Sequence, residues 1–233
     1  IFIFLFIFSL YLIFFDVNNN NNFSIFSLYI IFIGSSLYFL IGLHDDIFRS
    51  SPFLRLSFQF AVAFAVSNYG INFGSLNFFV PYYGDINIIL PSFVDNILTS
   101  FWIVGITNAI NWIDGMDGLA AGYCSILSMG LCSLMIINGN FIGILFFSIL
   151  FGSTLGFLIR NFKPAYYIMG DCGSNFLGFC LSASSLIFLK DLKLDSINFF
   201  YLILIFSLPI GDMLLVITGR ILKGKSIFLP DRS

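Results

Sequence analysis

Three short motifs place aspartates between long apolar runs of the sequence: HDD at residues 44–46, DGMD at 114–117 and MGD at 169–171. Asp114 and Asp117 are three residues apart, so a helix that begins at or just before them carries both side chains on one face. Glycines within and after this motif leave the backbone open to a close ligand. Clustered carboxylates repel one another unless a cation joins them, and their oxygen atoms suit Mg²⁺ or Mn²⁺.

Basic and polar residues that could meet a phosphate flank these motifs. After HDD, Pro52 is placed to start a helix, on which Arg55 and Gln59 lie one turn apart. Asp171 precedes Ser174 where an apolar run begins, and a helix N-terminus with glycine and serine is a natural phosphate site. Carboxylates, a hard cation and nearby Lys or Arg together describe a site for phosphoryl transfer. The Cys and His spacing that zinc requires is missing from the sequence.

The composition is that of an integral membrane protein. Of 233 residues, 59% are hydrophobic and 9% are charged, with a mean hydropathy of +1.00. The apolar runs are long and continuous, which favours an all-α, polytopic transmembrane helical bundle over a β-barrel. We predict about eight helices, near residues 1–15, 24–43, 54–69, 97–113, 118–137, 141–159, 174–189 and 197–222. Glycine, proline and asparagine interrupt residues 70–95, which predicts short strands or a surface hairpin on the extracytoplasmic side.

The positive charges predict the orientation of this bundle. If the predicted spans alternate, most Lys and Arg residues fall on one side, namely Arg49, Arg55, Arg160, Lys163, Arg220, Lys223, Lys225 and Arg232. Only Lys190 and Lys193 fall on the other side. The first side is therefore predicted to be cytoplasmic in a multi-pass plasma-membrane protein, and all three aspartate motifs lie on it. The absence of a basic patch argues against a nucleic-acid partner.

Four ordered segments resemble one enzyme family. They are HDDIFRSSPFLRLSFQF, NAINWIDGMDGLAAG, MGDCGSNFLGF and PIGDMLLVITGRILKGKSIFLPDRS. The sequence is similar there to the polyprenyl-phosphate N-acetylhexosamine-1-phosphate transferases, which include bacterial undecaprenyl-phosphate GlcNAc-1-phosphate transferases and, more distantly, the lipid I-forming translocase. The resemblance implies Mg²⁺- or Mn²⁺-dependent transfer of a sugar-1-phosphate from a UDP-sugar to a polyprenyl phosphate, with release of UMP. It also implies a bacterial membrane enzyme that initiates cell-envelope polysaccharide synthesis, and it leaves a homodimer open.

By position in these motifs, the resemblance implies a role for each polar side chain. Asp45 and Asp46 would be the catalytic pair, with Asp45 deprotonating or orienting the lipid phosphate. Asp171 would be the metal ligand, and Asp117 is a second candidate. The implied substrate-binding residues are Asn108, Asn111, Asp114, Gly170, Ser174, Arg55, Lys225 and Arg232. Direct displacement and a covalent aspartyl intermediate both remain open.

The chain departs from the family's pattern at its ends. The family usually continues from its PDR segment into a cluster of histidines, whereas here Ser233 follows PDR. We therefore expect residues 1–233 to be a single membrane domain that is truncated at both ends. The residues alone leave two other classes open, an ion-coupled transporter with interfacial aspartates and a CDP-alcohol-type phosphotransferase. The segment DGMDGLAAG lacks the arginine that the second class needs.

Overall fold

The computed structural model describes residues 25–80, 84–190 and 199–224. Helices dominate these ranges, and one two-stranded sheet interrupts them. In chain order the elements are α1 (Ile25–Phe48), α2 (Pro52–Asn68), β1 (Ser75–Val80), β2 (Gly84–Ile89), α3 (Ser92–Ile113), α4 (Leu119–Ile137), α5 (Phe141–Asn161), α6 (Gly170–Lys190), α7 (Phe199–Ile205) and α8 (Ser207–Leu222). The predicted helix at residues 1–15 lies outside the described residues.

Five of these helices, α1, α3, α4, α5 and α6, are long and apolar enough to cross a membrane. A helix of about 20 apolar residues is the length that the hydrocarbon core of a bilayer requires. The prediction of an all-α, polytopic transmembrane bundle is therefore confirmed. The chain is a multi-pass membrane protein.

Helix α6 lies at the centre of the bundle and packs against α1, α3 and α4. All of its residues from Ser174 to Leu186 are buried, as expected for a helix that is covered on every side. A glycine on α1 allows this helix to approach α6 closely, since a Cβ at Gly42 would lie 2.3 Å from the backbone oxygen of Asp171. Gly178 of α6 meets α3 in the same way, since a Cβ there would lie 2.7 Å from Thr107 Cα. Small residues at such crossings are how membrane helices pack without a hydrophobic driving force between them.

The last predicted span, residues 197–222, is wrong as a single helix. It consists of α7 and α8, which meet at Phe206. Pro209 explains the break, because a proline ring clashes with the carbonyl four residues earlier and so excludes Ile205 from a continuous helix. The hydroxyl of Tyr123 on α4 donates to that carbonyl of Ile205 at 3.1 Å.

The predicted hairpin is confirmed and lies at the end of the bundle away from the aspartate motifs. Strands β1 and β2 pair antiparallel, with Ser75 opposite Ile89. Asp95 on the first turn of α3 accepts the backbone N–H of Phe73 at 3.1 Å, and Lys190 at the end of α6 donates to the carbonyl of Asn72 at 3.2 Å. The N-terminus of α3 and the C-terminus of α6 thus share the hairpin end, and their other ends carry the aspartates.

Candidate active site

Asp46 caps the N-terminus of α6 from a neighbouring helix. Its two carboxylate oxygens accept the backbone N–H groups of Asp171 at 2.9 Å and Cys172 at 3.0 Å. These donors have no partner within their own helix, and the positive end of the helix dipole favours a carboxylate. Gly170 makes room for the contact: its φ is +68°, and a Cβ there would lie 3.0 Å from Asp46 Oδ2. The catalytic role of Asp46 and the substrate contact of Gly170 stay predictions, but both residues build the site.

One guanidinium nitrogen joins the HDD and MGD motifs. Arg55 Nη1 donates to Asp45 Oδ2 at 2.5 Å and to Asp171 Oδ2 at 2.9 Å. The side chains of Arg55, Asp45 and Asp171 are 17%, 11% and 32% exposed, so the pairing takes place where water screens the charges only partly. The buried Nε of Arg55 has no hydrogen-bond acceptor among the residues that the structure describes. Arg55 was predicted to bind substrate, and its described partners are these two carboxylates.

Asn111 holds the other oxygen of Asp171. Its Nδ2 donates to Asp171 Oδ1 at 2.7 Å and to Ser174 Oγ at 2.8 Å. The Ser174 hydroxyl in turn donates to the carbonyl of Gly170 at 3.0 Å. Asp171 is therefore fixed on both sides, by Arg55 from α2 and by Asn111 from α3. The structure brings together these predicted residues from three separate motifs.

Asp114 follows the last residue of α3 and is half-buried beside the same carboxylates. Burial, and then the nearby negative charges of Asp171 and Asp46, raise the pKa of Asp114 to about 7. A carboxyl group shows this behaviour when its ionised form lacks water and a compensating cation. The site therefore carries more negative charge than Arg55 alone offsets, which a divalent cation would relieve.

The residues that the structure describes do not form a complete metal site by themselves. Within residues 25–80, 84–190 and 199–224, no three His, Cys, Asp or Glu side chains form a group that could hold a metal ion. The carboxylates of Asp114 and Asp171 nevertheless lie close enough to interact electrostatically, and the side-chain amide of Asn111 is bonded to Asp171. Mg²⁺ commonly binds one or two carboxylates and takes its remaining ligands from water and substrate phosphates. This donor set, with the raised pKa of Asp114, fits a cation of that kind.

Asp117 turns towards the loop between α5 and α6. Its Oδ2 accepts the backbone N–H of Ala165 at 3.2 Å. Asn161, which sequence reasoning missed, braces the same two loops: its Oδ1 accepts the N–H of Gly118 at 3.0 Å, and its Nδ2 donates to the carbonyl of Tyr167 at 2.8 Å. The structure does not bring Asp117 into the group around Asp171, and its metal-binding role stays a prediction. A polar residue at the end of the apolar helix α5 was the signal that could have identified Asn161.

Asn108 precedes Asn111 by one turn of α3 and bonds a side chain on α2. Its Nδ2 donates to Gln59 Oε1 at 2.7 Å and to the carbonyl of Val104 at 2.8 Å. The predicted substrate contact of Asn108 therefore has no support from its described bonds. Lys225 and Arg232 lie outside the described residues, and their predicted roles are unchanged.

Residues 28–189 match the profile of glycosyl transferase family 4. The chain belongs to this family. The resemblance seen in the four ordered motifs is thereby confirmed. Membership of glycosyl transferase family 4 also favours a transferase over the transporter and CDP-alcohol hypotheses.

Several curated family relatives are similar to the chain. A probable undecaprenyl-phosphate N-acetylglucosaminyl 1-phosphate transferase of Bacillus subtilis is 39% identical over 205 residues, which cover 86% of this chain and 55% of the relative. A decaprenyl-phosphate N-acetylglucosaminephosphotransferase of Mycobacterium leprae is 32% identical over 210 residues, covering 82% and 52%. A phospho-N-acetylmuramoyl-pentapeptide-transferase of Lactiplantibacillus plantarum is 37% identical over 128 residues, covering 55% and 38%. The chain thus spans about half the length of the first two relatives.

Proposed function

We propose that this site transfers a sugar-1-phosphate, with N-acetylglucosamine 1-phosphate as the leading candidate, from a UDP-sugar to a polyprenyl phosphate. The observation that carries the proposal is that Arg55 joins the HDD and MGD motifs, and Asn111 bonds the same Asp171, at one end of an apolar bundle. The names of the relatives supply the substrate classes, because they specify undecaprenyl or decaprenyl phosphate and N-acetylglucosamine phosphate. The lipid product would begin the synthesis of a cell-envelope polysaccharide.

The reaction exchanges one phosphorus–oxygen bond for another. An oxygen of the lipid phosphate forms a bond to the phosphorus that carries the sugar. The bond from that phosphorus to the bridging oxygen breaks, and UMP leaves with the bridging oxygen and its electron pair. Two anions must approach each other, so positioning and charge neutralisation are expected to supply most of the rate acceleration.

The residues around Asp171 would have different roles in this reaction. Arg55 offsets part of the negative charge of Asp45 and Asp171, which would lower the repulsion that these carboxylates exert on an approaching anion. Asp45 would orient the lipid phosphate or accept its proton, and Asn111 and Ser174 would keep Asp171 in place. The Asp46 cap fixes the start of α6 and with it the position of Asp171.

The proposal includes a divalent cation, Mg²⁺ or Mn²⁺. Asp171 would hold it, with Asp114 and the amide oxygen of Asn111 as further donors, and Asp117 is a more distant candidate. When bound, such a cation neutralises the phosphate oxygens of the reactants. The protein residues would orient those oxygens and keep the carboxylates apart.

We propose that the site faces the cytoplasm. Arg49, Arg55, Arg160 and Lys163 lie in or beside the loops at the aspartate end of the bundle, and Lys190 lies at the hairpin end. An excess of Lys and Arg in short loops marks the cytoplasmic side of a membrane protein. The phosphate of a polyprenyl lipid also lies at the membrane boundary, where its tail can stay in the hydrocarbon.

The proposal is tested by UMP release from the purified enzyme at its natural length, given undecaprenyl phosphate, UDP-N-acetylglucosamine and Mg²⁺. We expect release by the wild type and by an Asp85→Asn control in the hairpin, and loss of release in Asp45→Asn and Asp171→Asn. A panel of other UDP-sugars then identifies the preferred donor. Full activity in both site variants, or without a divalent cation, would contradict the proposal.

A further inference from the structure

Three amide side chains from three helices, two of them fully buried and one half-buried, form a hydrogen-bonded chain one helical turn away from the candidate site. Gln59 on α2 donates from Nε2 to Asn175 Oδ1 on α6 at 2.9 Å. Asn108 on α3 donates from Nδ2 to Gln59 Oε1 at 2.7 Å. Gln59 and Asn175 are fully buried, at 0% exposure. We call these three residues the amide clamp.

Each member of the amide clamp lies one helical turn deeper in the bundle than a residue of the site. On α2, Gln59 follows Arg55 by four positions. On α6, Asn175 follows Asp171 by four positions. On α3, which runs towards the site, Asn108 precedes Asn111 by three positions. The clamp and the site are thus two parallel levels that link the same three helices, because residues three or four apart share a helix face.

This arrangement fixes the register of the three helices. Rotating or sliding one of them would separate amide groups in surroundings without water, where an unpaired polar group is costly. Apolar contacts between smooth helix faces do not resist such movement as specifically, since they are non-directional. A shift at the clamp level would move Arg55, Asn111 or Asp171 at the site level by a similar amount.

The hydrogen bonding of the clamp argues for a positional role. Asn175 Nδ2 is buried and has no acceptor in the described part of the chain. An apolar layer of the same shape would carry no such unpaired donor and can be as stable as a polar one. The clamp therefore adds specificity of position that stability alone does not require.

We propose that Gln59, Asn108 and Asn175 are positioning residues that hold Arg55, Asn111 and Asp171 in reactive alignment. The inference rests on the proposed transferase function for its kinetic consequence. It predicts that loss of the clamp lowers kcat but leaves the melting temperature almost unchanged. Removing the clamp as a whole should leave the fold intact and misplace the reacting groups.

The test is the double variant Gln59→Leu/Asn175→Leu in the enzyme at its natural length. Removing Gln59 and Asn175 together leaves no unpaired amide between them, and Asn108 keeps the carbonyl of Val104 as its acceptor, so we expect a melting temperature within about 2 °C of wild type. We expect kcat for UMP release to fall about 10- to 100-fold while KM for the UDP-sugar changes less than about threefold. Thr154→Val is the matched control, because Thr154 is buried and donates only to carbonyls of its own helix. Wild-type kcat in a stable double variant would overturn the proposal.

Asn108→Leu keeps the proposal falsifiable should the double variant fail to fold. Asn108 is half-buried, and its replacement breaks one bond between helices, to Gln59, and one bond within α3, to the carbonyl of Val104. The clamp predicts a lower kcat with an unchanged KM for the UDP-sugar. A raised KM with an unchanged kcat would make Asn108 a substrate contact and overturn the clamp.

A readout that does not depend on activity separates this inference from the proposed function. In protein labelled with nitrogen-15 at asparagine, the side-chain amide signal of Asn111 is assigned by its loss in Asn111→Asp. The clamp predicts that this signal shifts in Asn108→Leu and does not shift in Thr154→Val. If the wild type releases no UMP, the proposed function fails, and the Asn111 signal still decides: a shift supports the clamp and an unmoved signal overturns it.

Discussion

Replacing Arg55 by glutamine should destabilise the protein in a way that a divalent cation partly reverses. Arg55 Nη1 contacts Asp45 at 2.5 Å and Asp171 at 2.9 Å, so its loss leaves two neighbouring carboxylates without their shared cation. Breaking a fully buried ion pair from one side costs about 3–5 kcal/mol. Here the side chains are 11–32% exposed, which lowers the expected cost to roughly 2–3 kcal/mol.

The assay is thermal unfolding of the purified protein in detergent, with and without Mn²⁺. A cost of this size corresponds to a fall of about 5–10 °C in melting temperature for a domain of this length. Arg55→Lys should fall less, since an ammonium retains the charge but cannot reach two carboxylates with the geometry of a guanidinium. Mn²⁺ should raise the melting temperature of Arg55→Gln more than that of the wild type, because it supplies the missing positive charge between the carboxylates.

The matched control is Arg160→Gln, which removes the same charge from an exposed residue that makes none of the described ion pairs. We expect its melting temperature to stay within about 2 °C of the wild type. A melting temperature of Arg55→Gln that equals that of this control would refute the reasoning. An equal rise in melting temperature with Mn²⁺ for the wild type, Arg55→Gln and Arg160→Gln would show that Arg55 does not occupy the position of a cation.

Three other predictions concern residues around the site. Gly42→Ala should abolish expression of folded protein, because the added Cβ would lie 2.3 Å from the Asp171 carbonyl oxygen. The control is Gly152→Ala, which should have the melting temperature of the wild type because its Cβ meets nothing within 4 Å. Asp114→Asn should stabilise the metal-free protein, and by more at about pH 8 than at about pH 5.5. The raised pKa of Asp114 makes its ionisation in the folded protein costly as pH rises through about 4 to 7, and solvent screening limits the gain in the free energy of unfolding to roughly 2 kcal/mol. A constant difference in melting temperature at both pH values would contradict this. Asp117→Asn should lower UMP release less than tenfold, since the described bond of Asp117 is to the backbone of the 162–169 loop. A loss of UMP release as large as that of Asp171→Asn would instead support Asp117 as a metal ligand.

Most of the fold follows from the sequence because membrane helices are encoded locally. The apolar runs predict α1 to α6 within a few residues, and the glycines, prolines and asparagines of 70–95 predict the hairpin. The break at Phe206 was also encoded, since Pro209 excludes the carbonyl of Ile205 from a helix. It was missed because proline is tolerated in the first turn of a helix, and a single long apolar run satisfies the length of a membrane span.

The site was predicted in its residue types more than in its contacts. The charge asymmetry of the loops predicted that the three aspartate motifs share one end of the bundle, and the structure joins them. The capping of α6 by Asp46 was not predictable, and Asn161 could be noticed as a polar residue at the end of α5 but not assigned its bonds, because the partners of both residues are set by tertiary packing. The bond from Asp46 to the N–H of Asp171 spans 125 residues, and nothing in either local segment specifies it.

The most direct test of the central claim follows the phosphorus that carries the sugar. UDP-N-acetylglucosamine radiolabelled at that phosphorus is incubated with undecaprenyl phosphate, Mg²⁺ and the enzyme at its natural length, and the lipid and UMP are then separated. The account predicts that the label appears in the lipid as a sugar-linked diphosphate, that UMP is unlabelled, and that Asp171→Asn transfers none. Label in UMP or in free sugar phosphate, or transfer by Asp171→Asn at the wild-type rate, would contradict it.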